Sequence, residues 1–142
     1  MGTGGTGGAR GRVLVVDDEM HLRLFIKAVF ESAGYETATA RDGEEGLARA
    51  RAFKPDLVSL DLMMPNQGGI RLLTELRRDP ELQAVKVLVV SAIEGATFQH
   101  SLALLAAGPG SAPAPPDGYV EKPPTAPLLL REAERILAPG AA

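Results

Sequence analysis

The chain has 142 residues, a length that suits one domain able to bury roughly two-thirds of the surface its unfolded form exposes. Hydrophobic residues make up 45% and charged residues 23%, the balance of an ordinary globule rather than of a disordered or membrane chain. With no cysteine, disulfides, thiolate catalysis and cysteine-ligated zinc are excluded, and a net charge of −3 without any basic run longer than Arg77-Arg78 argues against direct nucleic-acid binding.

Residues 1–10, with their repeated Gly-Thr-Gly-Gly, read as a flexible tail with no leader-like pattern, and no window approaches the roughly 18 apolar residues of a spanning helix. A cytoplasmic protein is the expectation. Arg12 to Asp17 is a β-branched strand running into Asp17 and Asp18. From Leu22, apolar residues at Phe25, Ile26, Val29, Phe30 and Ala33 form a helical stripe, and Gly34 supplies a left-handed stop. Tyr35 to Ala40 reads as a second strand. Asp42-Gly-Glu-Glu opens a helix in which Leu47, Ala50 and Phe53 point inward, ending before Pro55.

Asp56 to Met64 is a short apolar run that delivers one carboxylate, Asp61, and then meets Pro65, the pattern of a buried parallel strand ending at a functional edge. Gly68-Gly69 lets the chain turn, and Ile70, Leu73 and Leu76 mark a third helix closed by Asp79-Pro80. Val85 to Val90 is a strand ending at Ser91, and residues 94–107 predict a fourth helix with Phe98, Leu102 and Leu105 on one side. Residues 108–117 are rich in proline and glycine and read as an irregular loop. Tyr119-Val120-Glu121 is a short fifth strand before Lys122, and a last helix from about Pro124 to Leu137 carries Leu129, Ala133, Ile136 and Leu137 inward.

Strand followed by helix, five times over, predicts an α/β domain over residues 11–138: a doubly wound, five-stranded parallel sheet, with 139–142 as a short tail. In such sheets ligands bind beyond the carboxyl ends of the strands. Asp17, Asp18, Asp61 and Ser91 stand at or beside those ends, and Lys122 joins them. Three carboxylates at one edge are costly unless neutralised, and oxygen ligands of this kind suit magnesium, which is commonly shared with phosphate oxygens. A phosphoryl group is therefore the expected substrate, with Asp61 placed to attack it.

These four segments, Val15-Val16-Asp17-Asp18-Glu19, Leu60-Asp61-Leu62-Met63-Met64-Pro65, Val90-Ser91-Ala92 and Tyr119-Val120-Glu121-Lys122-Pro123, resemble in identity and order a bacterial response-regulator receiver domain, with its flavodoxin-like (βα)5 fold. The resemblance covers residues 12 to about 137. It implies that Asp61 accepts a phosphoryl group from a histidine kinase phosphohistidine, a phosphotransfer protein or a small phosphodonor. Magnesium is implied on Asp17, Asp18, Asp61 and the main-chain carbonyl of Met63, with Lys122 and Ser91 assisting. Ser91 and Tyr119 are implied as a switch pair, the Lys122–Pro123 bond as cis, and the last two helices as a surface for homodimers or other protein partners. The protein is then a signalling phospho-acceptor that assists only its own phosphorylation and dephosphorylation.

Each feature alone has a simpler explanation. Asp17-Asp18 suits a helix N-cap, Asp61 turn chemistry, Ser91 a bond to its own backbone, and Lys122 a solvated edge charge. His21 and His100 are expected at the surface, and Ser59 is expected to bond a neighbouring backbone group. Two other classes share the parts: an aspartate-nucleophile phosphatase, whose Asp-x-Asp pattern on the first strand is not matched by Asp17-Asp18-Glu19, and a scaffold that keeps the fold unphosphorylated. Three departures from the family pattern stand out. The Ser91 to Lys122 interval is about nine residues longer than usual. Pro124 replaces a common aromatic. Met63 and Ile93, both apolar, stand two residues beyond Asp61 and Ser91, where they are expected to slow hydrolysis of a phosphoaspartate. The chain stops soon after its last helix, so no output domain is expected in it, and it reads either as a stand-alone receiver or as one cut from a longer chain.

Overall fold

The computed structural model describes residues 10–65, 68–92 and 115–139. Their strands are β1 (Arg12–Val16), β2 (Glu36–Ala40), β3 (Leu57–Leu60), β4 (Lys86–Ser91) and β5 (Gly118–Glu121). Their helices are α1 (Met20–Ser32), α2 (Gly43–Phe53), α3 (Gly68–Arg78) and α4 (Ala126–Leu137). The predicted helix over 94–107, Ile93, His100 and most of the 108–117 loop lie outside the described residues.

All strands pair in parallel in the order β2-β1-β3-β4-β5. The chain leaves β1 for β2 on one side and returns to β3 on the other, so the connections diverge between β1 and β3. That divergence opens a crevice above the carboxyl ends of these two strands. Apolar residues cover both faces of the sheet, which is why β1, β3 and β4 read as unbroken apolar runs rather than as alternating ones.

Period-two alternation divides those runs between two cores. Leu14, Val16, Val58, Leu60, Val87 and Val89 face α2 and α3, against Ala50, Leu72, Leu73 and Leu76. Val13, Val15, Leu57, Leu88 and Val90 face α1 and α4, against Ile26, Phe30, Leu129, Ala133 and Ile136. Burying a side chain of this size contributes about 1.5–3 kcal/mol, so the sheet centre is the stiffest part of the molecule and the natural support for a site.

Local chemistry sets the helix ends. Asp42 caps α2, accepting from the Glu45 amide at 2.8 Å, while the Glu45 carboxylate reaches back to the Arg41 amide at 2.8 Å. Thr125 caps α4, with Pro127 in its first turn, where the missing amide hydrogen is not needed. Gly34 adopts a φ of +98° after α1, the left-handed stop the sequence predicts. Phe25 departs from expectation. It is 42% exposed, because it lies at the opposite edge of the α1 stripe from Phe30, and Phe30 takes the interior place against Tyr35 in an edge-to-face contact at 5.6 Å. Leu72, not singled out in the sequence, is buried instead.

Candidate functional site

The strand ladders continue one residue past β1 and β3 and seize the two aspartates that follow. The Asp17 amide donates to the Ala40 carbonyl at 3.1 Å, and the Asp61 amide to the Val16 carbonyl at 3.1 Å. Asp17 is 1% exposed and Asp61 3%, whereas Asp18 is open to solvent. One oxygen from each of the three lies within 4.8 Å of the others.

Capping does not explain the acidic pair. The N-cap of α1 is Glu19, whose Oε2 accepts from the Leu22 amide at 2.7 Å. Asp17 Oδ1 instead accepts from the Glu19 amide at 2.9 Å, an Asx-type turn that leaves Oδ2 directed at Asp61 and Lys122. Arg23 reaches back from α1, and its Nη1 donates to the Asp17 carbonyl at 2.8 Å, steadying the turn. Nothing in the sequence singled out Arg23.

Lys122 arrives from the far side of the crevice. Its amide donates to the Ser91 carbonyl at 2.8 Å, so the end of β5 is tied to the end of β4. Its Nζ lies 3.1 Å from Asp17 Oδ2 and 3.3 Å from Asp61 Oδ2. The Lys122–Pro123 bond is cis, as the resemblance implied. One ammonium facing two buried carboxylates leaves negative charge in excess. Asp17 Oδ2 is buried with no directed hydrogen bond, so the lysine attracts it without satisfying it.

The charge states follow from this imbalance. Burial pushes the Asp17 carboxyl above the ordinary carboxylate range, and the negative charge of Asp61 adds to the rise. The Glu19 amide and Lys122 oppose it without cancelling it. Burial works against the Lys122 ammonium too, but Asp17 and Asp61 together outweigh it and hold the lysine above its usual value. Lys122 stays charged, and the two buried acids beside it share its single positive charge.

Asp61 Oδ1 accepts from the Met63 amide at 2.9 Å, while the Met63 side chain is 59% exposed on the rim. Gly69 in the first turn of α3 packs against the backbone just below. A Cβ there would collide with the Asp61 carbonyl and stand 2.5 Å from Leu62 Cα, so the sequence's turn glycine serves close packing. Ser91 is fully buried at the end of β4, and the partly buried Tyr119 on β5 brings its hydroxyl to 3.5 Å from the Ser91 carbonyl. The structure brings Asp17, Asp18, Asp61 and Lys122 together, with Ser91 tied to Lys122 and Tyr119 through its carbonyl. His21 is exposed, as expected.

A hard-oxygen cluster with a lysine across it, set at the divergence of a parallel sheet, defines a phospho-accepting α/β signalling domain. The sequence pattern of the response regulator receiver domain matches residues 13–109, more than half of the chain, and the chain belongs to that family. Chemotaxis protein CheY of Thermotoga maritima is 38% identical over 84 residues, 58% of this chain and 68% of that protein. The polar-differentiation response regulator DivK of Brucella anthropi is 36% identical over 80 residues, 56% of this chain and 64% of DivK. The transcriptional regulatory protein PhoP of Bacillus subtilis is 43% identical over 67 residues, 28% of its length, so the match spans less than two thirds of DivK and of PhoP. Among solved structures, a CheY-like receiver domain protein from Methanospirillum hungatei superposes with a TM-score of 0.72 at 27% identity, covering 89% of this chain and 92% of that one. CheY4 of Vibrio cholerae, at 24% identity, shares the fold with a TM-score of 0.76 over 90% of this chain and 99% of its own. Among the described residues no helix is long and apolar enough to cross a membrane.

Proposed function

We propose that Asp61 is the residue through which this receiver accepts its phosphoryl group, with a histidine kinase or a phosphotransfer protein as donor in the cytoplasm. The observation that carries this reading is the pair of buried carboxylates sharing one cation, with Lys122 Nζ 3.1 Å from Asp17 Oδ2 and 3.3 Å from Asp61 Oδ2. A carboxylate oxygen of Asp61 forms the new bond to phosphorus as the bond from phosphorus to the donor imidazole breaks, and the imidazole keeps the electron pair.

Asp17, Asp18 and Asp61, with the Met63 carbonyl, are the residues that would hold magnesium, and the orphaned Asp17 oxygen together with the all-oxygen donor set fits that ion. Bound there, it supplies countercharge to the phosphoryl oxygens. Lys122 supplies the second countercharge from the opposite side, and the Ser91 hydroxyl a neutral hydrogen bond. Movement of Ser91 toward the phosphoryl group and of Tyr119 into the space it leaves would carry the signal to a protein partner or a second copy. The fixed elements serve capture and hold rather than turnover, so the protein is a signalling acceptor and not an enzyme acting on other substrates.

The test is treatment with acetyl phosphate or beryllium fluoride, with and without magnesium, read by intact mass and by NMR. A single modification that requires magnesium and disappears in Asp61→Asn is expected. Labelling of the Asp61→Asn variant at the wild-type rate would remove the assignment.

A further inference from the structure

Lys122 directly follows β5, a four-residue strand at the edge of the sheet that comes after a proline-rich and glycine-rich stretch of sequence. Short edge strands of this kind fray readily and hold their register weakly. Yet the ammonium must stay within a few tenths of an ångström of its place to serve two carboxylates at once.

The fastening lies at the opposite end of β5 from the lysine, in Asp117. Its amide donates to the Val87 carbonyl at 2.8 Å, and its Oδ2 accepts from the Val87 amide at 2.8 Å, so a side chain completes the ladder one step before Leu88 pairs with Gly118. The same oxygen accepts from Arg77 Nη2 at 3.0 Å. Arg77 is largely buried and is itself held, its Nη1 donating to the Val85 carbonyl at 2.7 Å. From the other face of the sheet, Arg135 Nη2 donates to the Asp117 carbonyl at 2.9 Å. Gly118 follows directly beneath α4, where a Cβ would stand 2.8 Å from Ile136 Cδ1 and 2.9 Å from Arg135 Nη2. A side chain at this place would have to displace the ends of those side chains, so α4 lies closely over the start of β5.

We propose that Arg77 and Asp117 are positioning residues for phosphoryl transfer: the pair pins the start of β5 and thereby holds Lys122 against Asp61 and Asp17. Arg77 stands in the last turn of α3, the helix that leaves the Asp61 strand, so one helix links the acceptor to the register of the strand bearing its cation. This inference rests on the proposed role of Asp61, and it concerns a contact far from any residue of the metal cluster.

The experiment compares Asp117→Ala, Asp117→Asn, Lys122→Ala and the Asp117→Ala/Lys122→Ala double variant in the intact chain, each checked by circular dichroism. In Asp117→Ala, labelling by acetyl phosphate slows by about 10- to 100-fold. Magnesium affinity by calorimetry stays within about twofold, because Asp17, Asp18 and Asp61 rest on other strands. Adding Lys122→Ala produces no further loss of rate, and exchange of the Lys122 amide, protected by the Ser91 carbonyl, accelerates. Asp117→Asn retains an oxygen for the Val87 amide and recovers most of the rate; if the alanine variant does not fold, Arg77→Met decides, faster Lys122 amide exchange with slower labelling supporting the proposal and wild-type values of both overturning it. A folded Asp117→Ala protein with wild-type labelling, or a double variant whose losses multiply, overturns the proposal. If the wild-type chain takes no label, the Asp61 assignment fails, and the amide-exchange comparison still decides whether Asp117 holds Lys122.

Discussion

Two charged clusters stand at opposite ends of the same strands, and they are built on opposite terms. At the amino ends, Arg12 is met at every turn. Its amide donates to Asp56 Oδ2 at 2.9 Å, its Nε to Glu36 at 3.1 Å and its Nη1 to the Phe53 carbonyl at 2.9 Å, and its guanidinium lies over the Phe53 ring. At the carboxyl ends, three acids share one lysine, two of them are buried, and one buried oxygen has no directed partner. The first cluster is satisfied and half exposed, which is what stability alone favours. The second sets two buried carboxylates against a single ammonium, which costs stability and is the arrangement on which the proposed binding of a cation and a phosphoryl group rests.

The contrast is broken most sharply by removing Lys122, the one cation of the upper cluster among the described residues. Lys122→Ala leaves Asp17 and Asp61 facing each other and should lower stability by about 2–3 kcal/mol, somewhat less than the roughly 3–5 kcal/mol of a fully buried broken pair, since the lysine side chain is 18% exposed. Urea unfolding measures the loss, and saturating magnesium should restore part of it in the variant. The pH dependence has a defined sign. The lysine's folded value is raised, so its stabilisation is fully present below pH 10.5 and is lost as pH rises through the folded value. A variant as stable as wild type without magnesium would show that the acids do not need the lysine.

Gly69→Ala tests how closely the acceptor is supported. The added methyl meets the backbone of Asp61 and Leu62, which cannot yield as a side chain would, so a cost of about 1–3 kcal/mol is expected together with slower labelling of Asp61. Magnesium affinity should fall in parallel, because the carboxylate of Asp61 moves with its backbone.

Asp17→Asn should act in the other direction on stability. Burial has raised the Asp17 carboxyl, so the folded state holds that proton more tightly than the unfolded chain. The penalty for its charge appears as pH rises from 3.8 through the folded value. Removing the charge should therefore stabilise the protein at neutral pH by about 0.5–2 kcal/mol while weakening magnesium binding. The gap between variant and wild type should close as pH falls through that window.

What could be read in the sequence divides along the same line. Asp17, Asp61 and Ser91 were legible because each ends a largely apolar strand, where a polar residue is conspicuous; Lys122, which follows Glu121, was legible from its place in the four ordered motifs. The sheet was legible for the same reason, since β1, β3 and β4 are apolar on both faces. The parts that hold the site in place were not. Arg23, Arg77 and Asp117 are ordinary polar residues whose partners are backbone groups or lie far along the chain, and periodicity carries no trace of such contacts. Glu19 rather than Asp17-Asp18 caps α1, because the choice of cap depends on how the turn is folded and not on composition. Phe25 fits the helical stripe yet lies outside, since two aromatic edges compete for one interior place.

The smallest effect belongs to the satisfied cluster and sharpens the comparison by its salt dependence. Glu36→Ala removes one partner of Arg12 from a pair that is about two-fifths exposed on both sides, so it should cost only about 0.2–1 kcal/mol. Arg12 keeps the Phe53 carbonyl and the Phe53 ring, and its amide keeps Asp56, so no charge is stranded. That loss should shrink further when unfolding is repeated at about 1 M salt, where the Debye length falls to roughly 3 Å. The Lys122→Ala loss should persist under the same salt, because a buried short-range pair is screened by bulk salt much less than an exposed one. Equal salt sensitivity in the two variants would mean that the two ends of the sheet do not differ in the way their burial indicates.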